Sequence, residues 1–222
     1  MSTQVPPRGA PQHRALATRR DAVRNYHRIL DAAREVLGES GADASMEVIA
    51  ARAGVGVGTV YRRFASKDAL IDELLQLALA QVLAATERAL ARTDGYGLEE
   101  LLRALGQSFA DHARYASLLL QRRTEDATAR RIRAAVSELT ARAAAAGAVR
   151  PDTTAGDVMA LIWAMRGLVQ ATGGPVQATG GPVQATGGIA PGGWQRFLDI
   201  HLAGLQTTGH LSGDPSLFSR QL

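Results

Sequence analysis

Residues 45–64 read SMEVIAARAGVGVGTVYRRF, and this stretch decides the fold. Ser45 is a helix-capping residue type, followed by Met46, Ile49, Ala50 and Ala53 on one face of a short helix. Gly54 tolerates a positive φ, and Gly54-Val55-Gly56 interrupts the helix. A second short helix follows, with Val60 and Phe64 on its apolar side. Two short helices that cross closely need small residues near the turn, which Ala50 and Ala53 provide, and an apolar plug after it, which Val55 provides. The opposite face of the second helix carries Gly56, Val57, Gly58, Thr59, Tyr61, Arg62 and Arg63. Small residues at its start would let the backbone enter a DNA major groove about 12 Å wide. Thr59 and Tyr61 are phosphate donors by type, and Arg62 and Arg63 add charge.

On either side the pattern is helical. Tyr26, Ile29, Leu30, Ala33 and Leu37 form one stripe upstream, closed by Gly38 and Gly41. Ser66 is placed to cap a fourth helix, with Asp68 in its first turn and Leu70, Leu74, Leu77 and Ala78 on its buried side. Asp94 to Gly97 reads as a turn. Further helices are expected over 98–120, 125–146, 154–170 and 194–206. No stretch reads as a strand, so the fold class is all-α: an N-terminal three-helix DNA-binding domain and a C-terminal helical domain for ligand binding and dimerisation. The expected divisions are a disordered basic arm (1–22, with Arg8, Arg14, Arg19 and Arg20), the DNA-binding domain (23–83), the effector-binding and dimerisation domain (84–208) and a loose tail (209–222).

The pattern from Ile49 to Leu70 resembles the signature of the TetR family of repressors: Ile49-Ala50, Ala53-Gly54-Val55, Gly58-Thr59, Tyr61, Phe64, Ser66-Lys67 and Leu70. The resemblance implies that Tyr61 and Lys67 contact phosphate and that Phe64 packs inward. Lys67 is the only lysine; the other 24 basic residues are arginine. Two positions depart from the family pattern. Gly56 stands where serine is frequent, and Val57 where a polar residue is frequent. Valine can touch a thymine methyl but cannot hydrogen-bond a base edge. For the C-terminal part the resemblance is one of layout. It implies an effector cavity enclosed by helices and a homodimer built from 154–170 and 194–206. It further implies a palindromic operator and a fourth helix that shifts when a small-molecule effector binds. Effector-pocket candidates are Phe109, His112, Tyr115, Met159, Trp163 and Met165, a set that favours an apolar ligand.

Composition is consistent with this reading. Residues 1–68 hold 11 basic and 7 acidic side chains, residues 69–222 hold 14 of each, so the net charge of +4 sits in the first third. The absence of cysteine excludes disulfides and thiolate metal sites. His13, His27, His112, His201 and His210 form no metal-ligand spacing, so no metal is expected. No phosphate loop or nucleophile elbow is present, so neither a cofactor nor catalysis is expected. There is no signal peptide and no uninterrupted run of 18 apolar residues, which makes a cytoplasmic, nucleoid-associated protein the expectation, without a membrane partner. The rival readings are an enzyme, a helical interaction protein that has lost DNA binding, and an activator. Within 169–189, VQATGGP occurs twice in succession and a third time for six of seven residues. Gly-Gly-Pro breaks any helix, so this is read as a loop from in-frame duplication, with a lid or partner-binding loop as the alternative.

Overall fold

The computed structural model describes residues 10–120, 127–173 and 193–206. Residues 1–9, most of the repeat (174–189) and the tail from 207 lie outside the described residues. Every regular element among the described residues is helical: α1 Ala10–Ser40, α2 Met46–Ala53, α3 Val57–Arg63, α4 Lys67–Ala91, α5 Gly97–His112, α6 Ala116–Leu120, α7 Ala127–Ala145, α8 Ala155–Gly173 and α9 Gly193–Gln206. The chain divides into two compact units, one ending at Ile71 and one beginning at Asp72, so the division falls inside α4, upstream of the expected boundary at 83.

In the N-terminal unit, α1 buries Ile29, Leu30, Ala33, Val36 and Leu37 and packs against α2. It starts earlier than expected: the segment read as a disordered arm is helical from Ala10. The segment lacks apolar periodicity, but periodicity reports burial rather than backbone conformation. After Pro11, in the first turn where proline is tolerated, the segment is rich in the strong helix formers Ala, Leu and Arg. Arg52 of α2 ties the two helices together. Its Nη1 donates to Glu35 Oε2 and Glu39 Oε1 at 3.0 Å, and its Nη2 to Glu39 Oε2 at 2.9 Å. The Glu39 carboxylate, then that of Glu35, pushes the guanidinium further into its charged form.

In the C-terminal unit, Leu98, Leu101, Leu102 and Leu105 of α5 meet Val136 and Leu139 of α7, Val158, Leu161, Ile162, Met165 and Val169 of α8, and Trp194, Leu198 and Leu202 of α9 in one core. The expected helix over 98–120 is broken: a 3-10 turn, Ala113–Tyr115, separates α5 from α6. A capping box starts α8. Thr154 Oγ1 accepts from the Asp157 N–H at 3.2 Å, and the Asp157 carboxylate accepts from the Thr154 N–H at 2.8 Å. The helix runs through the first repeat unit to Gly173, three residues beyond the expected end at 170 and two short of Pro175. By length and composition α4 could cross a membrane. Its buried residues, however, include Leu70, Leu74, Ala78, Val82, Ala85 and Ala89, the periodic stripe of a helix packed within protein.

Candidate nucleic-acid interface

The turn between α2 and α3 is built from the residues that the sequence marks for it. Ser45 Oγ accepts from the Val48 N–H at 3.3 Å and caps α2. Gly54 follows the last residue of α2 at φ 63° and ψ 39°. Its N–H bonds Ala51 O, and the Val55 N–H bonds Ala50 O at 3.1 Å, a Schellman closure that turns the chain sharply into α3. Any side chain at 54 meets left-handed backbone strain. Gly54→Ala is therefore expected to lower the stability of the N-terminal unit by about 1–2 kcal/mol, read from thermal unfolding.

The faces of α3 separate as expected. Val60 is 0% and Phe64 5% exposed, whereas Val57 is 41% and Tyr61 46% exposed. Gly56, Gly58, Arg62 and Arg63 are exposed as well, and Thr59 is half-buried. The outward side chains are ordered by neighbours within the unit. Arg62 Nη2 donates to Thr59 Oγ1 at 3.1 Å. The Tyr61 hydroxyl lies 3.5 Å from Glu47 Oε1. The Arg63 guanidinium sits 4.7 Å over the Tyr26 ring, which in turn stacks on Phe64 with centroids 6.1 Å apart. Tyr26 therefore orients a cation on the outward face, a role that its place in the α1 stripe does not signal. Gly56 precedes α3 with no side-chain cap, as its residue type dictates.

Lys67 is the first residue of α4, where the resemblance places it, and without DNA it bonds within the chain. Its ammonium donates to the backbone carbonyls of Ala42 and Ala44, the latter at 3.1 Å, and so closes the segment between α1 and α2. At least two of its three donors are engaged within the chain. Lys67→Met is expected to remove these charge-assisted bonds and cost the N-terminal unit about 1–2 kcal/mol, measured by denaturant unfolding without DNA.

The six effector-pocket candidates do not form one set. Met165 is fully buried, and Phe109 and Met159 pack against the same core. Tyr115 is buried, with the His112 ring edge-on to it at 5.7 Å, and His112 Nδ1 bonds Ser108 O. Trp163 does not join them, because it is 40% exposed. The buried stripe of α8 runs through 158, 161, 162, 165 and 169, and 163 falls outside it. An open cleft of about 500 Å³ lies elsewhere, lined by Arg92, Thr93, Gly95, Gly97, Leu139, Arg142, Ala145 and Ala146, and includes none of the six. Its arginines are engaged, Arg92 with Asp94 and Glu100 and Arg142 with Glu138 and Leu90 O. Among the described residues no group of three or more His, Cys, Asp or Glu side chains is arranged to hold a metal ion.

Residues 29–74 match the model of bacterial regulatory proteins of the tetR family. The HTH-type transcriptional regulator UidR of Escherichia coli (strain K12) is 44% identical over 66 residues, which is 29% of this chain and 30% of that protein. The chain thus spans under a third of the length of this curated relative. Solved structures extend the likeness to the C-terminal unit. A TetR transcriptional regulator, SCO0520 of Streptomyces coelicolor, is 28% identical with a TM-score of 0.55, covering 82% of this chain and 99% of that one. A TetR transcription regulatory protein of Mycobacterium vanbaalenii is 25% identical with a TM-score of 0.56, covering 86% and 99%. Residues 29–74, with the turn at Gly54 and the exposed face of α3, thus carry the domain of the tetR family of bacterial regulatory proteins, and the helical unit that follows resembles that of solved TetR regulators.

Proposed function

We propose that the chain is a dimeric transcriptional repressor that binds a palindromic operator through α3 and is released by a small, largely apolar effector. The observation that carries the reading is the division of α3. Val60 and Phe64 are locked inside, while Val57, Gly58, Tyr61, Arg62 and Arg63 stand outside on a helix fixed by a tight turn. A rigid exposed helix with small residues, a phenol and two arginines fits a major groove and its flanking phosphates. The regulators to which the chain is similar favour gene control over catalysis. The bacterial cytoplasm, at the nucleoid when bound, is the corresponding location.

Dimerisation is assigned to α8 and α9. Each carries a large apolar residue exposed on its own chain, Trp163 at 40% and Ile200 at 58%. A two-fold interface would cover them and present two copies of α3 to successive grooves. Trp163→Glu with Ile200→Glu is expected to give a helical monomer by analytical ultracentrifugation. Loss of bivalence should weaken duplex binding by about a hundredfold or more. The effector is assigned to the region of Phe109, His112, Tyr115, Met159 and Met165, and α4, which runs from one unit into the other, is the element through which its binding would reach α3.

The reading is tested by incubating the purified full chain with sheared genomic fragments from its source organism and sequencing those retained. The expected result is enrichment of fragments that share an inverted repeat with half-sites about one helical turn apart. Fragments recovered without a common motif would contradict the proposal and favour a helical protein that does not read DNA.

A further inference from the structure

Two glycines at the start of α3 have no explanation inside the chain. Gly58 lies in the helix, where glycine is among the poorest formers, and a Cβ built there meets nothing within 4 Å. Gly56 occupies the capping position, where Ser, Thr, Asn or Asp would bond a free N–H. Its φ of −67° is open to any residue, and a Cβ there meets only Thr59 Oγ1, at 4.0 Å. The contrast lies within the same chain. Gly54 needs its left-handed φ, and Gly106 is pressed by Trp194, so those glycines are required by the fold. Gly56 and Gly58 weaken the fold and relieve no strain in it. Between them stands Val57, an exposed branched apolar side chain with no side chain beside it on either neighbour. The arrangement is a pair of methyl groups raised above bare backbone.

We infer that this surface is shaped for close approach to base edges, with Gly56 and Gly58 as clearance and Val57 as the reader of a thymine 5-methyl group. The thymine methyl is the apolar feature of the major groove, and valine, which has no hydrogen-bonding group, contacts it by burial alone. Specificity at that base pair is then carried by the methyl, while Tyr61, Arg62 and Arg63 hold the backbone in register. The inference rests on the reading of α3 as a DNA-binding helix and adds which base chemistry it takes.

The probe is the duplex recovered by the fragment selection, made in two forms, one with thymine and one with deoxyuridine at every thymine position. Wild-type protein is expected to bind the uracil duplex about fourfold more weakly per half-site, the effect of removing one buried methyl. The Val57→Ala variant should bind both forms alike. Gly58→Ala is expected to raise the thermal midpoint of the free protein and at the same time weaken binding to the thymine duplex by about tenfold. Opposite signs in these two readouts separate clearance for DNA from a structural need for glycine. Tight wild-type binding with no uracil penalty, or a Gly58→Ala protein that is stabilised and binds undiminished, would overturn the inference and leave the DNA-binding reading intact. Failure of the wild type to bind any duplex selectively would overturn both.

Discussion

Replacing Trp194 with alanine is expected to lower the stability of the C-terminal unit by about 3–5 kcal/mol, a large share of what an ordinary domain possesses. The indole is 7% exposed and joins the cluster built from α5, α7, α8 and α9. It lies on the backbone of α5 at Gly106. A Cβ at that position would fall inside the envelope of the indole Cζ3 and Cε3 atoms and 2.9 Å from Met165 Sδ. The same packing fixes the sign of Gly106→Ala. In an open helix that change gains up to about 1 kcal/mol of propensity. Here it must displace a packed ring, at a cost of roughly 1–3 kcal/mol, so a net loss of up to about 2 kcal/mol remains after the full propensity gain. In the Trp194→Ala background only the Met165 sulfur, part of a flexible side chain, still crowds the Cβ, and Gly106→Ala should become neutral or stabilising. Denaturant unfolding of the four proteins, followed by far-ultraviolet circular dichroism, measures this coupling. Stabilisation by Gly106→Ala in the presence of Trp194 would show that the indole does not press on α5.

The second large effect concerns Tyr61 and Arg62 together. Both are exposed, and within the chain their interactions are slight: Tyr61 to Glu47 at 3.5 Å, and Arg62 to Thr59 at 3.1 Å. Surface changes of this kind cost little stability, within roughly 0.5 kcal/mol each. Bound to a duplex, each would neutralise or donate to a phosphate. Tyr61→Ala with Arg62→Ala is therefore expected to leave the melting curve nearly unchanged. Affinity should fall about a hundredfold, on the order of 1–1.5 kcal/mol for each group removed. The decrease should be of similar size on operator and unrelated DNA, because bonds to phosphate carry no sequence information. For the arginine, the slope of log affinity against log salt should fall by about 0.9 for each phosphate that it no longer neutralises. An unchanged affinity would place the DNA surface elsewhere.

How far the sequence alone reaches can be followed residue by residue. Ser45, Gly54 and the buried set Met46, Ile49, Ala50, Ala53, Val60 and Phe64 are legible, because capping, positive φ and helical periodicity are local properties. The beginning of α1 at Ala10 is not, since residues 10–22 carry no apolar periodicity from which a helix could be read. The break after His112 has neither glycine nor proline to announce it. The bonds of Lys67 to Ala42 O and Ala44 O are not legible either, because these partners lie on a distant part of the chain and are backbone atoms, invisible to any residue pattern. Gly106 and Trp194 illustrate the same limit. Their meeting depends on how α5 and α9 cross, and neither residue type specifies it. Residue type groups Trp163 with the core aromatics, whereas its angular position on α8 places it outside the buried stripe.

We propose that the exposed face of α3 reads duplex DNA. It is tested most directly by titrating the full chain onto a labelled duplex that carries the selected inverted repeat, beside a scrambled duplex, at several salt concentrations between about 50 and 200 mM. Two chains per duplex are expected. The repeat should be preferred by about a thousandfold or more, with an affinity that falls steeply as salt rises. Equal binding to the scrambled duplex, or no dependence on salt, would contradict it.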